Sequence, residues 1–355
     1  MKVSFLTEGR SLEERAETHE IVLRFEDGVE KRIIVNGGEY VLDAALRQEI
    51  PLVHQCRSGS CSTCVAQVME GELRMDSTRA YSLIPAEVKQ GKRLLCSAYA
   101  LADSVVRFDY PSDLLDEAGP ELFVAKVEDA ELVSDSVVRL AIRAPRAVDF
   151  SFQSGQYIRV NVPGTDQWRS YSMASLPRDL PKLEFLIRII PGGAMSQYLI
   201  GRCEAGDEIE VEGPLGAFIL HESAAPHIFV AGGSGLAPII SMLDTIRRRP
   251  GAKPPMLLSF GCASDSQFFY RDEVELRAAW MPQLKLRLSA DRVEDPESSL
   301  IQANPVAVLT PEDVTDPETV AFLCGPPRMI EAARERLAAL GVRPENIHAE
   351  QFVAS

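Results

Sequence analysis

Four of the seven cysteines in this 355-residue chain fall between positions 56 and 96. Three of them share one loop with the spacing C-x4-C-x2-C, and the fourth follows after a long interval. Four thiolates spaced in this way can surround two irons, and the small residues between them let backbone N–H groups turn toward inorganic sulfide. The pattern predicts a 2Fe-2S cluster whose ligands are Cys56, Cys61, Cys64 and Cys96.

A zinc site is the alternative interpretation of the same cysteines, because four thiolates also hold Zn²⁺. Zinc sites usually pair two C-x2-C knuckles, and this loop contains one, at Cys61 and Cys64. The remaining cysteines, Cys203, Cys262 and Cys324, lie far apart along the chain, which does not fit a disulfide framework. The spacing therefore favours iron and a reducing compartment.

A second group of residues could bind a flavin. Arg169, Tyr171 and Ser172 share one strand-like segment, where the arginine can pair with a phosphate, the tyrosine can stack on an isoalloxazine ring and the serine can reach flavin N5. Alone, this pattern is also typical of surface packing on a barrel strand. It is followed by a glycine-rich turn, with Arg188 and Gly193, into a helix whose first N–H groups can hold a pyrophosphate.

Two further glycine turns could bind a dinucleotide. The first lies between a strand-like run and a helix, where glycines admit the cofactor closely, although it is not a G-x-G-x-x-G fingerprint. A tight turn without a ligand is the alternative. The second turn follows another strand, at the sheet edge where α/β proteins bind ligands. The candidate residues are Gly232, Gly233, Ser234, Gly235, Cys324, Gly325 and Pro326.

The charge near the second strand of this region bears on which dinucleotide is used. A 2′-phosphate requires an arginine or lysine near that strand end. Residues 261–267 contain neither and include Asp265. We therefore expect NADH to be the electron donor.

The elements that must position these residues form three groups. Residues 18–109 predict a small α+β domain, with a hairpin over 18–35, a helix from Val41 to Glu49, the cysteine loop and further strands. Residues 110–120 predict a linker, because they contain proline, glycine and acidic residues without periodicity. Residues 1–17 form an N-terminal extension to which the sequence assigns no role.

The rest of the chain predicts two more domains. Short alternating strands recur over residues 121–222 and predict an antiparallel β-barrel. Over residues 223–355 strands alternate with glycine turns and helices, which predicts a parallel α/β domain. The expected fold class is therefore multidomain α+β and α/β.

Composition excludes several classes of function. A formal net charge of -15 opposes binding to nucleic acid. No run approaches the roughly 18 apolar residues of a membrane span, and the first residues lack a secretory apolar region. We expect a cytoplasmic monomer with no membrane attachment.

The motifs resemble known families. The cysteine loop, with Arg57 and Gly59 in a C-R-x-G-x-C arrangement, resembles that of plant-type ferredoxins and of the ferredoxin modules in oxygenase reductases. The segments 168–172, 188–199 and 213–218 resemble the FAD domain of the ferredoxin-NADP reductase superfamily. The two later glycine turns resemble the G-G-[ST]-G-x-x-P and C-G-P-x-x-M motifs of the same superfamily.

This resemblance implies roles for individual residues. Arg169 would bind the flavin pyrophosphate, Tyr171 would stack on the ring and Ser172 would lie near N5. Cys324 would lie beside the nicotinamide. Further residues implied near FAD are Met195 and Ser196 at the diphosphate, and Glu350 and Phe352 of the terminal E-x-F near the flavin ring, although a frayed tail is the alternative for that last pair. Ala263 and Gln267 replace the Arg and Asp of many NADH-using relatives, which leaves adenosine recognition open.

Residues 18–355 as a whole resemble the reductase components of Rieske aromatic-ring-hydroxylating dioxygenases of the benzoate, toluate and anthranilate type. The resemblance implies electron flow from NADH to FAD to the 2Fe-2S cluster to a terminal oxygenase, with hydride transfer at Tyr171 and Ser172. A flavin is needed between NADH and the cluster, because a hydride carries two electrons and the cluster accepts one at a time. The alternatives are the reductase of a di-iron monooxygenase of the phenol hydroxylase type, the partner of a deoxysugar dehydratase, and a flavin-free zinc protein.

Overall fold

The computed structural model describes residues 18–54, 57, 59, 63–76, 83, 85–115, 120–148 and 150–352. The chain divides into two compact units, Met1–Glu117 and Ala118–Ser355, called here the N-terminal and C-terminal units. Each unit has its own sheets and its own core.

The N-terminal unit is built on a five-stranded sheet in the order β2-β1-β7-β3-β5. Strands β1 (Thr18–Arg24) and β2 (Glu30–Asn36) form the expected hairpin, and β7 (Ser104–Arg107) runs parallel to β1. Helix α1 (Val41–Arg47) buries four apolar residues against this sheet. The helix ends before the expected Glu49, because Glu49 adopts a left-handed φ of 59° that cannot continue a helix.

Short elements complete the N-terminal unit. They are β3 (Val65–Glu70), β4 (Leu73–Met75), α2 (Pro85–Lys89), β5 (Lys92–Leu94) and β6 (Ala98–Ala100), with β4 and β6 paired in a separate small sheet. A mixed sheet crossed by one helix is the β-grasp arrangement, as expected for the iron-sulfur domain.

The predicted linker differs from the structure in its first half. A 3-10 helix spans Ser112–Leu115, and Tyr110, Leu114 and Leu115 are all buried. The Ser112 hydroxyl donates a hydrogen bond to the Asp27 carboxylate at 2.6 Å. Residues 110–115 therefore pack as part of the N-terminal unit, and residues 116–119 lie outside the described residues.

The first part of the C-terminal unit is an antiparallel six-stranded sheet in the order β11-β10-β13-β8-β9-β12. The edge strands meet at an antiparallel bridge between Met173 and Phe185, which closes the sheet into a barrel filled by apolar side chains. The elements are β8 (Glu121–Ser134), β9 (Val137–Arg143), β10 (Tyr157–Asn161), β11 (Trp168–Ser172), β12 (Lys182–Arg188), α3 (Ala194–Gly201) and β13 (Glu208–Leu215).

The second part is a parallel six-stranded sheet in the order β17-β16-β15-β14-β18-β19 with helices on both faces. Alternate residues of β14 explain the two faces: Phe229 packs in the core beneath α4, and Ile228 packs in the core beneath α6. The elements are β14 (His227–Gly232), α4 (Leu236–Arg248), β15 (Met256–Ser264), α5 (Arg271–Trp280), β16 (Leu284–Arg292), β17 (Ile301–Gln302), β18 (Val320–Gly325), α6 (Pro327–Ala339) and β19 (Ile347–Gln351).

These architectures confirm the fold class expected from the sequence. The boundary at residue 222 between the barrel and the α/β region stays a prediction, because both lie within one compact unit. Among the described residues, no helix combines the length and apolar character needed to cross a bilayer.

Candidate active site

The segments that carry two of the four predicted cluster ligands are adjacent. Val65 pairs with Leu94 across the β3–β5 ladder, and the Leu95 N–H donates to the Cys64 carbonyl at 3.0 Å. Cys64 and Cys96 are both buried. The ladder thus joins the end of the cysteine loop to the distant fourth cysteine, while Cys56 and Cys61 lie outside the described residues.

The backbone of the cysteine loop suits an anionic centre. Arg57 and Gly59 both adopt a left-handed conformation, with φ of 51° and 86°. Left-handed residues in a tight loop can turn neighbouring N–H groups toward a common concavity, an arrangement found at many Fe–S sites. An arginine tolerates this strained φ only when its surroundings hold it, and the Arg57 guanidinium donates to Asp43 at 2.6 Å. The thiolate donor set and the loop conformation together fit a 2Fe-2S cluster.

In the C-terminal unit, two predicted catalytic residues, Ser172 and Cys324, meet the predicted FAD-binding residue Glu350, although the three are distant in sequence. The Ser172 hydroxyl at the end of β11 donates to the Glu350 carboxylate at 2.9 Å. Glu350 is the register partner of Cys324 between the parallel strands β19 and β18. The Phe352 N–H donates to the Gly325 carbonyl at 2.9 Å, so the terminal segment through Phe352 is bound to the sheet and is not a frayed tail.

Burial sets the protonation of these groups. It raises the pKa of the half-buried Glu350 carboxyl to about 8, although the Ser172 hydrogen bond opposes the shift. Burial, and then the neighbouring Glu350 carboxyl, raise the pKa of the Cys324 thiol well above its usual range. Burial also raises the pKa of the Tyr171 hydroxyl. At neutral pH the Glu350 carboxyl, the Cys324 thiol and the Tyr171 hydroxyl are therefore largely uncharged. Uncharged surroundings suit an aromatic ring system that gains negative charge when it is reduced.

The two glycine turns touch at the carboxyl edge of the parallel sheet. A Cβ added to Gly325 would lie 3.2 Å from the Gly232 nitrogen, and one added to Gly235 would lie 2.2 Å from the Cys324 carbonyl oxygen. Gly235 therefore has no room for a side chain. Gly233, with φ of +54°, faces open space, and Ser234 beside it is only half-buried. Pro326 caps the N-terminus of α6 beside these turns. The closely packed glycines leave an open backbone surface that fits a dinucleotide.

The predicted flavin-binding segments are positioned by the barrel. Arg169 is half-buried and donates to the Gln167 side chain at 2.7 Å, while Arg188 is exposed at the end of β12. Gly193 precedes α3 in an extended conformation. The Met195 side chain lies in the barrel core, and the Ser196 hydroxyl accepts the Ile190 N–H at 2.8 Å. The Met195 and Ser196 side chains thus have structural roles, and only the backbone N–H groups of these two residues remain suited to bind a diphosphate.

Cys262, a cysteine outside the predicted sites, packs against the apolar core beneath α4. Cys262 lies near the carboxyl end of β15, the strand beside β14, and is half-buried. Burial raises the pKa of its thiol to about 12, against opposing hydrogen bonds from the Gly233 and Phe269 N–H groups.

A separate cavity of 690 Å³ in the C-terminal unit is lined by none of the predicted site residues. Several charged groups around it have partners: Arg139 donates to Glu131 at 2.9 Å, and Arg277 donates to Asp244 at 2.7 Å. The predicted site residues therefore lie outside this cavity.

Comparison with known proteins gives three matching domain families. The 2Fe-2S iron-sulfur cluster binding domain matches residues 24–101, the oxidoreductase FAD-binding domain matches residues 124–219, and the oxidoreductase NAD-binding domain matches residues 229–335. The chain therefore carries a 2Fe-2S cluster and FAD and uses a nicotinamide dinucleotide.

Individual relatives match over nearly the whole chain. The toluate 1,2-dioxygenase electron transfer component of Pseudomonas putida is 36% identical, with 95% of this chain and 99% of the relative covered. The propane 2-monooxygenase reductase component of Mycolicibacterium smegmatis is 32% identical, with 96% and 98% covered. The crystal structure of an Amycolatopsis cytochrome P450 reductase has a TM-score of 0.69 at 27% identity, covering 94% of this chain and 99% of that one. The chain belongs to the family of iron-sulfur flavoprotein reductases, the electron-transfer components that join a 2Fe-2S domain to FAD- and NAD-binding domains.

Proposed function

We propose that this reductase takes electrons from NADH and supplies them to the terminal oxygenase of an aromatic-ring-hydroxylating dioxygenase. The observation that carries the proposal is that one chain holds both a thiolate segment, with Cys64 and Cys96, and a hydride site where Ser172, Cys324 and Glu350 meet. The match to the toluate dioxygenase component over 95% of the chain supports an aromatic dioxygenase as the acceptor.

The residues of the chain have distinct roles in this proposal. Cys56, Cys61, Cys64 and Cys96 would hold the cluster. Arg169, Arg188 and the N–H groups of Met195 and Ser196 would bind the FAD phosphates, with Gly193 in the turn before them, where its N–H donates to the Ile190 carbonyl. Tyr171 and Phe352 would pack near the flavin ring. When bound, FAD accepts a hydride and releases electrons singly to the cluster. Ser172 and Glu350 would orient the reacting rings, and the Glu350 carboxyl would hold a proton. Cys324 would lie beside the nicotinamide.

NADH is favoured over NADPH by a fixed anion. The Asp265 carboxylate accepts N–H groups from Ser266 at 2.9 Å and from Glu294 and Asp295 at 2.8 Å each. Hydrogen bonds from these N–H groups lower the pKa of the Asp265 carboxyl, and the bond from the Asp295 N–H contributes most. An anion at the end of β15 would repel a 2′-phosphate.

Reconstitution tests the proposed acceptor. The purified chain would be combined with a benzoate- or toluate-type Rieske dioxygenase or with a di-iron hydroxylase, and hydroxylated product formed per NADH consumed would be measured. We expect coupled product formation with the Rieske dioxygenase. Coupling with the di-iron hydroxylase alone would instead support the second candidate, which the 32% identity to a propane monooxygenase reductase favours.

A further inference from the structure

A buried serine lies directly beside a cluster ligand. Ser97 follows Cys96 in the chain, and the Ser97 Oγ lies 3.5 Å from the Cys96 Sγ. Ser97 is 0% exposed. We propose that Ser97 is a positioning residue for electron transfer, whose hydroxyl donates a hydrogen bond to the Cys96 thiolate and thereby raises the reduction potential of the 2Fe-2S cluster.

The direction of this hydrogen bond follows from the ligand chemistry. A cysteine that binds iron does so as a thiolate and has no proton to donate. The Ser97 hydroxyl must therefore be the donor, and buried hydroxyl groups nearly always have a partner. In the part of the chain that the structure describes, the Cys96 sulfur is the partner recorded for the Ser97 hydroxyl.

Neighbouring hydrogen bonds fix the backbone around Ser97. The Asp76 N–H donates to the Ser97 carbonyl at 2.8 Å, and the Leu95 N–H donates to the Cys64 carbonyl at 3.0 Å. The Asp76 carboxylate in turn accepts the hydroxyl of Tyr40 at 2.7 Å. The main chain at Ser97 is thus held in place beside Cys96, and the Ser97 side chain is buried.

The sign of the effect follows from charge. Reduction adds negative charge to the cluster and its sulfur ligands, so a hydrogen bond to a ligand sulfur stabilises the reduced state more than the oxidised state. Removing the hydroxyl should lower the equilibrium constant for one-electron reduction by about tenfold, which corresponds to 59 mV for a one-electron couple. The inference rests on the cluster itself and is independent of which oxygenase accepts the electrons.

A redox titration of the intact holoprotein, followed by the EPR signal of the reduced cluster, tests this inference. Ser97→Ala should lower the midpoint potential by about 59 mV. The matched control is Ser104→Ala, which removes another buried hydroxyl of the N-terminal unit, one that donates to the Ala102 carbonyl at 2.8 Å. The control should leave the potential unchanged. A wild-type potential in Ser97→Ala would overturn the inference.

A second pair of variants keeps the test decisive if Ser97→Ala does not assemble its cluster. These variants are Ser97→Thr and Ser97→Val. The threonine and valine side chains have nearly the same shape, but only threonine carries a hydroxyl. We expect the threonine variant to keep a wild-type potential and an exchangeable-proton coupling to the reduced cluster that is lost in D2O. The valine variant should show a lower potential and no such coupling. Equal potentials in the two variants would contradict the proposed hydrogen bond.

Discussion

The two units assemble their chemistry in different ways. In the N-terminal unit, the predicted ligands come from one loop and from a 3-10 helix (Leu95–Ser97) that a short ladder places next to it. In the C-terminal unit, Ser172 and Glu350 are 178 residues apart and meet because a barrel strand ends beside the last strand of a parallel sheet. Local spacing can thus predict a metal centre, whereas the proposed hydride site depends on strand register across the whole unit.

Removing a predicted cluster ligand should have the largest effect, because it should abolish electron transfer through the cluster and leave the flavin site active. We expect Cys96→Ser to reduce NADH-dependent cytochrome c reduction on the order of 100-fold, because single electrons leave through the cluster. Reduction of ferricyanide, which can take electrons from the flavin, should be retained. Cys203→Ser, which changes a half-buried cysteine outside the predicted sites, is the control and should preserve both activities. Equal loss of both activities in Cys96→Ser would contradict separate centres.

Filling the contact between the glycine turns should disrupt the C-terminal unit. In Gly235→Ala the new Cβ would lie 2.2 Å from the Cys324 carbonyl oxygen, so the two turns must separate. We expect the free energy of unfolding to fall by about 2 to 3 kcal/mol, measured by urea denaturation. Gly201→Ala, where no heavy atom lies within 4 Å of the added Cβ, is the matched control and should be neutral or stabilising. Equal stabilities of the two variants would refute the close contact.

The protonation of Glu350 should control the rate of flavin reduction. Its carboxyl is neutral below a pKa of about 8 and ionised above it. Hydride transfer adds negative charge to the flavin, so a nearby carboxylate should slow it, and we expect the rate to fall about tenfold as pH rises through about 8. Stopped-flow absorbance at several pH values measures this rate. Glu350→Gln, which keeps an oxygen to accept the Ser172 hydroxyl, should give a rate that does not change across that range.

The smallest expected effect concerns the choice of dinucleotide. Asp265→Asn removes the fixed anion but retains an oxygen for the N–H groups of Glu294 and Asp295. We expect the ratio of kcat/KM for NADH to that for NADPH to fall about fivefold. Asp272→Asn, on helix α5, provides a control of equal charge change. A similar fall in both variants would mean that overall charge, and not Asp265, sets the preference.

Sequence reasoning succeeded where the constraint is local. The hairpin before residue 35 follows from the Asp27-Gly28 turn, and Gly28 has the left-handed φ of 81° that such a turn requires. Gly233 and Gly325 were predicted because glycine lets a cofactor approach the backbone closely, and both have a positive φ in the structure. The cysteine ligands were predicted from residue type and spacing alone, although two of them lie outside the described residues.

Elements that depend on tertiary packing could not be predicted. Helix α5 has one buried residue, Val274, and therefore lacks the apolar stripe that marks a helix in sequence. Strand β19 is largely half-buried and is defined by its pairing with β18. The burial of Leu114 and Leu115 likewise depends on a unit that the local composition does not reveal. For the same reason, the resemblance placed Ser172 and Glu350 near the flavin, but the hydrogen bond between them is seen only in the structure.

The most direct test of the account is the EPR spectrum of the purified chain after reduction by NADH alone, with no chemical reductant. Electron flow from NADH through the flavin to the cluster predicts that NADH produces the signal of a reduced 2Fe-2S centre in wild-type protein and not in Cys96→Ser. Bleaching of the flavin absorbance by NADH without that signal, or zinc in place of iron and acid-labile sulfide, would contradict it.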